Sequence, residues 1–319
     1  MIRFLIRRTL LGVFVLWLIT MAVFGLFFVA PNNVARALAG RQAKPEVIHL
    51  IQQRLGLDQP LWKQYADFIG NALHGNLGYD YYHQVPVTTI IAHALPITVS
   101  LAVGASILWM VIGVGNGVIS AVRPRSIADR GLTIVALVFY SMPTFVLGLV
   151  FLYFLYFKLT LTGHDWFPPG GYVALTTDPA QWARSLILPW FTLALVLAAT
   201  YTRLTRGSML EVLSEDYIRT ARSKGIHESR VVLRHGLRSA LSPVVTQFGI
   251  DLGQLVGGVL VTETLFSLPG LGKTAIDAIT QQDLPVILGI VLFASAAVVV
   301  MNILVDVAYA VLDPRVHLH

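Results

Sequence analysis

"DYIRTARSKGIHESRVVLRHGLRSA", residues 216–240, reads as two short basic helices on either side of a glycine. Ser214 or Asp216 stands near the start of the first helix, Arg222 and Lys224 stand at its end where cations suit the helix dipole, and Gly225 stops it. Tyr217, Ile218 and Ala221 share one stripe of that helix. A solvated loop has no use for such a stripe, which calls for a groove on a partner. What flanks the segment decides the kind of protein it belongs to.

Upstream, no Asp, Glu, Lys or Arg occurs between Arg184 and Arg203. Downstream, residues 243–264 read "PVVTQFGIDLGQLVGGVLVTET", long enough to cross a bilayer although they carry Asp251 and Glu263. Further charge-free runs lie between Arg8 and Arg36, Asp80 and Arg123, Arg130 and Lys158, and Asp283 and Asp306. The chain is 55% hydrophobic and 13% charged, where ordinary soluble domains carry about 25% charged residues. The expected fold is an all-α integral membrane protein with six transmembrane helices at about 9–30, 96–121, 132–157, 185–205, 243–264 and 284–308.

Lys and Arg in short loops set the orientation. Arg3, Arg7 and Arg8, then Arg123, Arg125 and Arg130, then eight basic residues in 203–240, then Arg315, all fall on one side. The opposite short loops hold two in 158–184 and Lys273 in 265–283. Both termini are therefore expected in the cytoplasm. These inner loops account for the net charge of +6, and no nucleic-acid partner is needed. The first apolar run, about 22 residues, exceeds the 7–15 of a cleavable signal and reads as a retained anchor.

Residues 1–95 divide off as the first helix plus an extracytoplasmic segment, and 96–319 as a five-helix core with the 203–240 loop. In the outer segment, Val47, Leu50, Ile51 and Leu55, then Trp62, Tyr65, Phe68 and Ile69, suit short amphipathic helices broken at Gly56 and Pro60. Trp166, Phe167, Tyr172 and Trp182 suit interfacial anchors in the 158–184 loop.

Catalytic chemistry finds no footing. "LFSLPGLGKTAIDA", 265–278, contains Gly272-Lys273-Thr274, but Ser267 stands where a phosphate loop needs its first glycine and the segment lies on the outer side. The chain has no cysteine, which removes disulfides and thiolate sites. His227 and His235 are eight apart and have no ligand spacing, so no metal or resident cofactor is expected.

The fifth span is more informative. Gly249, Gly253 and Gly257 recur every fourth residue as a packing stripe, and Gln247, Asp251 and Gln254 make a polar stripe on another face. An aspartate in the centre of a membrane helix costs about 2.5–3.5 kcal/mol on insertion scales, so Asp251 should face a pathway or a partner such as Arg203 or Arg206. Gly113 and Gly117 form a second small-residue pair, and Pro143 and Pro189 should kink the third and fourth helices.

The inner segment resembles the cytoplasmic loop of permease subunits of binding-protein-dependent ATP-binding-cassette importers, in the dipeptide, oligopeptide and nickel group. Its signature E-A-A-x3-G-x9-I-x-L-P falls on Arg219-Thr220-Ala221, Gly225 and His235-Gly236-Leu237-Arg238, with departures that match the peptide group's "TARxKG" and "HxLR". "HGNLGYDY", "GGVLVTETLFSLPGLGKTAIDAITQQDLPVILG" and "LVDVAYAVLDPRV" resemble three more of its motifs, in order, with Asn76 where Asp is usual in the first.

The resemblance implies an importer-permease fold in a bacterial cytoplasmic membrane, working beside a second permease, two ATPase subunits carrying ATP and Mg, and an extracytoplasmic binding protein. It implies that residues 215–225 are a coupling helix, with Asp216, Tyr217, Ile218, Arg219, Ala221, Arg222, Lys224, Gly225 and His235 engaging an ATPase. Gln247, Asp251 and Gln254 are then the candidate lining of the translocation path. The expected cargo is a di- or oligopeptide; a nickel or nickel-chelate importer is the alternative within that group. A proton-driven carrier using Asp251 would show an inverted repeat, and a non-transporting scaffold would tolerate changes along 247–254.

Overall fold

The computed structural model describes residues 2–25, 44–54, 56 and 58–312. The described chain is helical, with one isolated antiparallel bridge between Tyr79 and Pro86. In order the helices are α1 (Ile2–Phe24), α2 (Pro45–Arg54), α3 (Leu61–Leu73), α4 (Val87–Val122), α5 (Ile127–Ser141), α6 (Thr144–Phe151), α7 (Pro179–Leu213), α8 (Asp216–Ser223), α9 (Leu237–Leu265), α10 (Leu271–Gln281) and α11 (Leu284–Leu312). π-helical turns continue α6 at Leu152–Lys158 and precede α9 at Val231–Gly236.

Among the described residues five helical stretches are long and apolar enough to cross a membrane: Ile6–Phe24, Val87–Val122, Thr144–Leu161, Pro179–Leu213 and Leu284–Val305. The predicted 243–264 span lies inside the 29-residue α9, which is not one of those five. The predicted 132–157 span is not one helix. α5 ends at Ser141 and Pro143, with ψ 137°, opens a new helix at Thr144, because a proline ring cannot sit over the preceding turn. Pro189, by contrast, lies inside an unbroken α7. The predicted end of the first span and residues 313–315 lie outside the described residues, as do the side chain of Asp306 and the positions Gly253 and Gly257.

Among the described residues the chain forms two compact units, one of residues up to Pro96 with Lys273–Leu304, the other of Ile97–Gly272 with residues 305–312. In the first unit Thr20 and Tyr65 share a hydrogen bond of 2.8 Å and Phe24 meets the Tyr65 ring edge-on, tying α1 to α3. A cavity of about 290 Å³ lies between α3, the 76–81 loop and the start of α11, walled by Phe68, Leu77, Pro285 and Leu288.

The second unit has the larger core, centred on Leu101, Trp109, Leu186, Tyr201 and Val244. α7 starts where Asp178 accepts from the N–H groups of Ala180 (2.9 Å) and Gln181 (3.1 Å) with Pro179 in the first turn, the usual chemistry of a helix start. α4 and α7 approach closely at the predicted glycine pair. A Cβ at Gly113 would lie 3.0 Å from Ala198 O, and one at Gly117 2.9 Å from Thr202 O, so only small residues allow this contact.

Candidate functional site

α8 is an eight-residue helix held from one side. Ile218 is fully buried and Ala221 nearly so, in a cluster with Val231, against Leu213 and Ile226. The expectation that Tyr217, Ile218 and Ala221 together face a partner is therefore corrected: the chain's own segment beyond Gly225 covers Ile218 and Ala221. Tyr217, Asp216, Arg219, Arg222 and Lys224 remain exposed.

The end of α8 is a fixed corner. Gly225 has φ +71°, its N–H donates to Arg222 O at 2.9 Å, and the Ile226 N–H donates to Ala221 O at 3.3 Å. These are the two bonds of a left-handed helix stop, completed by apolar contact between the flanking residues. Gly225, exposed and with open space beside it, is the hydrogen-bonded stop that its place in the sequence suggests. Arg222 forks onto Glu228 across the corner, Nη2 to Oε1 at 2.7 Å and Nε to Oε2 at 3.2 Å. His235 sits half-buried in the π turn, next to Gly236, which packs on Met209 and Leu213.

Above α8, Arg206 of α7 grips Asp129 at the start of α5 in a two-pronged pair of 2.7 and 2.9 Å. The Arg125 N–H adds a third bond to Asp129 at 2.8 Å. The Arg206 guanidinium first, then the Arg125 N–H, hold the Asp129 carboxyl low, at about 2, against burial. The pair is 77 residues apart in sequence, and the reading of Arg206 as a partner for Asp251 missed it. Arg203 lies over the Tyr140 ring at 5.1 Å.

Asp251 has other partners. Its Oδ2 accepts from the Tyr201 hydroxyl at 2.8 Å and its Oδ1 from Gln247 Nε2 at 2.9 Å. Two of the three predicted polar residues thus meet, joined by Tyr201 from α7. The Gln254 side chain lies outside the described residues. Trp109 packs beside both Tyr201 and Phe248, with ring centroids 6.2 and 5.9 Å away, so this polar trio borders an aromatic core.

The Gly-Lys-Thr stretch proves to be organised by an internal anion. Glu263, fully buried, accepts from the Gly272 N–H at 2.8 Å and from Thr98 Oγ1 at 2.6 Å, while Thr98 Oγ1 accepts the Leu271 N–H at 2.9 Å. A carboxylate of the chain itself thus binds where the start of α10 offers donors. A side chain at Gly270 would collide with that carboxylate. Among the described residues no group of three or more His, Asp or Glu side chains has the geometry to hold a metal ion.

Residues 113–318 match the family model described as binding-protein-dependent transport system inner membrane component, and residues 1–102 match the N-terminal model of the same systems. The chain belongs to this family of transport-system membrane components. The permease is 37% identical over 313 residues to a probable peptide ABC transporter permease protein of Sinorhizobium fredii, covering 98% of each chain. It is 38% identical over 319 residues, 99% of each chain, to the oligopeptide transport system permease protein AppB of Bacillus subtilis. The glutathione transport system permease protein GsiC of Escherichia coli is 38% identical over 317 residues, again with 99% of each chain covered. The chain is thus a multi-pass membrane permease of an ABC-type import system, a transport component.

Proposed function

We propose that this permease forms half of a path for di- or oligopeptides across a bacterial cytoplasmic membrane. In this reading it has six spans, with both termini in the cytoplasm. The permease works with a second, related permease, two ATPase subunits that bind ATP and Mg, and an extracytoplasmic binding protein that selects the cargo. Residues 1–95 contribute the first span and outer contacts; 96–319 carry the path and the coupling loop.

The observation that carries this reading is α8. Its apolar side is plugged into the chain by Ile218, Ala221 and Val231, while Asp216, Tyr217, Arg219, Arg222 and Lys224 are presented outward. Ile218 and Ala221 thus fix the helix, Gly225 and His235 shape its exit, and the exposed residues meet the ATPase. Cations around one tyrosine suit an acidic-rimmed groove, where they set register more than affinity. α7 runs from this corner straight into the membrane, so a displaced α8 is felt in the bundle. Gln247 and Asp251, with Tyr201 between helices, supply polar lining for a cargo whose charged ends need partners in the membrane.

Affinity purification from native membranes, followed by an ATP hydrolysis assay with and without peptides, tests the reading. Two ATPases, a second permease and a binding protein should co-purify, with peptide-stimulated hydrolysis. A chain recovered alone, whose transport follows a proton gradient, would put Asp251 at the centre of a different mechanism.

A further inference from the structure

In the first unit the loop before α4 and the turn before α11 meet at two aspartates that transport leaves unassigned. The loop is tight: the Asp80 N–H donates to Val85 O at 2.9 Å, the Gln84 N–H to Asp80 O at 3.0 Å, and the Val87 N–H to Gly78 O at 3.0 Å. This turns the Asp80 carboxyl inward, its side chain 10% exposed. Oδ1 accepts from the Tyr82 N–H at 2.6 Å and the His83 N–H at 3.1 Å, and Oδ2 from the His83 ring at 2.6 Å. From the other turn, Asp283 Oδ2 accepts the Tyr81 N–H at 3.1 Å, its Oδ1 the Val286 N–H at 3.4 Å, and the Tyr82 hydroxyl donates to Gln281 O at 2.5 Å. The two carboxyls thus accept the N–H groups of adjacent residues, Asp283 that of Tyr81 and Asp80 that of Tyr82, and both aspartates are buried. Two carboxylates buried on neighbouring backbone groups oppose each other's ionisation, and the pair is relieved when one of them keeps a proton.

We propose that Asp80 and Asp283 share a single proton that clasps the 78–86 loop to the 281–286 turn, making this face of the permease responsive to pH. Asp283 holds the proton: burial first, then Asp80, push its carboxyl up to about 6. Asp80 stays ionised at about 2; burial opposes this, but the bonds from Asp283, His83 and the N–H groups of Tyr82 and His83 outweigh it. The two values belong to the pair.

The surroundings leave the proton to these groups. Tyr81, pushed up to about 12 by burial and then by Asp283, stays neutral. His83 faces Asp80 from its own loop. On α10, Lys273 pairs with Asp277 at 2.5 Å; on α3, Asp67 shares the cavity wall with Tyr81; and the first turns of α11 contribute Leu284, Pro285 and Leu288 there.

The raised Asp283 stabilises fully below the ordinary value of 3.8 and stops doing so as pH rises through about 6. The depressed Asp80 stabilises above 3.8 and stops as pH falls through about 2. The clasp is therefore tightest between about pH 4 and 6, and above that two like charges face each other. Tyr81, Leu284 and Pro285 line the cavity, so its wall is what loosens.

Hydrogen–deuterium exchange on the purified assembled transporter at pH 5.5 and 8, corrected for intrinsic exchange, tests this. Peptides covering Tyr81 and Tyr82 should be protected roughly fourfold more at the lower pH, the linkage factor of a group raised to about 6 between these two pH values, while peptides of α7 stay unchanged. Asp283→Asn keeps an acceptor for the Tyr81 N–H and brings a permanent donor for Asp80, so it should flatten the difference; Asp80→Asn should flatten it too. His83→Gln should retain it. Equal wild-type protection at both pH values, a pH effect surviving both Asn variants, or its loss in His83→Gln would overturn the proposal. Should one Asn variant fail to assemble, the other carries the test.

Discussion

The basic corner at 213–236 and the carboxyl-held turns at 80, 263 and 283 solve one problem in two ways. Each must fix short segments whose backbone groups have no regular partner. The corner does so with an apolar plug and opposite charges: Ile218 under α8, Arg222 on Glu228, Arg206 on Asp129. The other turns do so with carboxyls that collect N–H groups: Glu263 takes Gly272, Asp283 takes Tyr81, Asp80 takes Tyr82 and His83. The first kind of joint should answer to volume and backbone geometry. The second should answer to lost acceptors and to protons.

Gly225→Pro tests the first joint hardest. Proline fixes φ near −65° where the chain has +71° and removes the N–H bonded to Arg222 O. Uptake should be abolished while the subunit still inserts in the membrane; normal uptake would break the coupling assignment. Ile218→Asp comes next, leaving a carboxylate in a sealed apolar site at a cost on the order of 4 kcal/mol, read as new protease cleavage around 216–226. Ile218→Val, about 1 kcal/mol, is the control for volume alone.

For the second joint, Glu263→Ala removes the acceptor used by Gly272 and Thr98 and should cost about 3 kcal/mol, seen as a lower thermal midpoint of the purified complex. Glu263→Gln should recover most of it; equal loss in both would mean that the charge, not the hydrogen bonding, holds the turn. The smallest effect is expected from Arg222→Gln. Its ion pair is about half exposed on both sides, and such pairs contribute under about 1 kcal/mol, so stability should barely move while ATPase coupling reports whether Arg222 also meets a partner.

Much of this architecture is legible in residue order. Charge-free runs mark the long helices, and the stop of α8 follows from Gly225, because a helix stop is local; its start, with Glu215 at the N-cap, has no side-chain cap. What covers α8 is not legible. An amphipathic stripe says that Ile218 and Ala221 need a cover, and both a partner's groove and the chain's own Val231 would serve. Asp251 posed the same difficulty: its cost in a membrane demands a partner, but Tyr201, fifty positions away, carries no charge to advertise itself. Asp80 and Asp283 stand at the ends of two separate motifs, and only the fold brings them together. The broken third span was signalled by Pro143, whose effect depends on whether the neighbouring turn can tolerate it.

The 35 residues of α7 run without interruption from the cap at Asp178 to Leu213, just before α8. At 1.5 Å per residue that is a rod of about 52 Å, longer than the roughly 30 Å hydrocarbon layer. Such a rod works as a lever arm. Tilting it by about 5° around the Asp178 end carries Leu213 through about 4.5 Å, close to one turn of helix. A small angular change among the packed helices is thus magnified where α8 begins, and a push on α8 is geared down, with greater force, where α7 crosses α4.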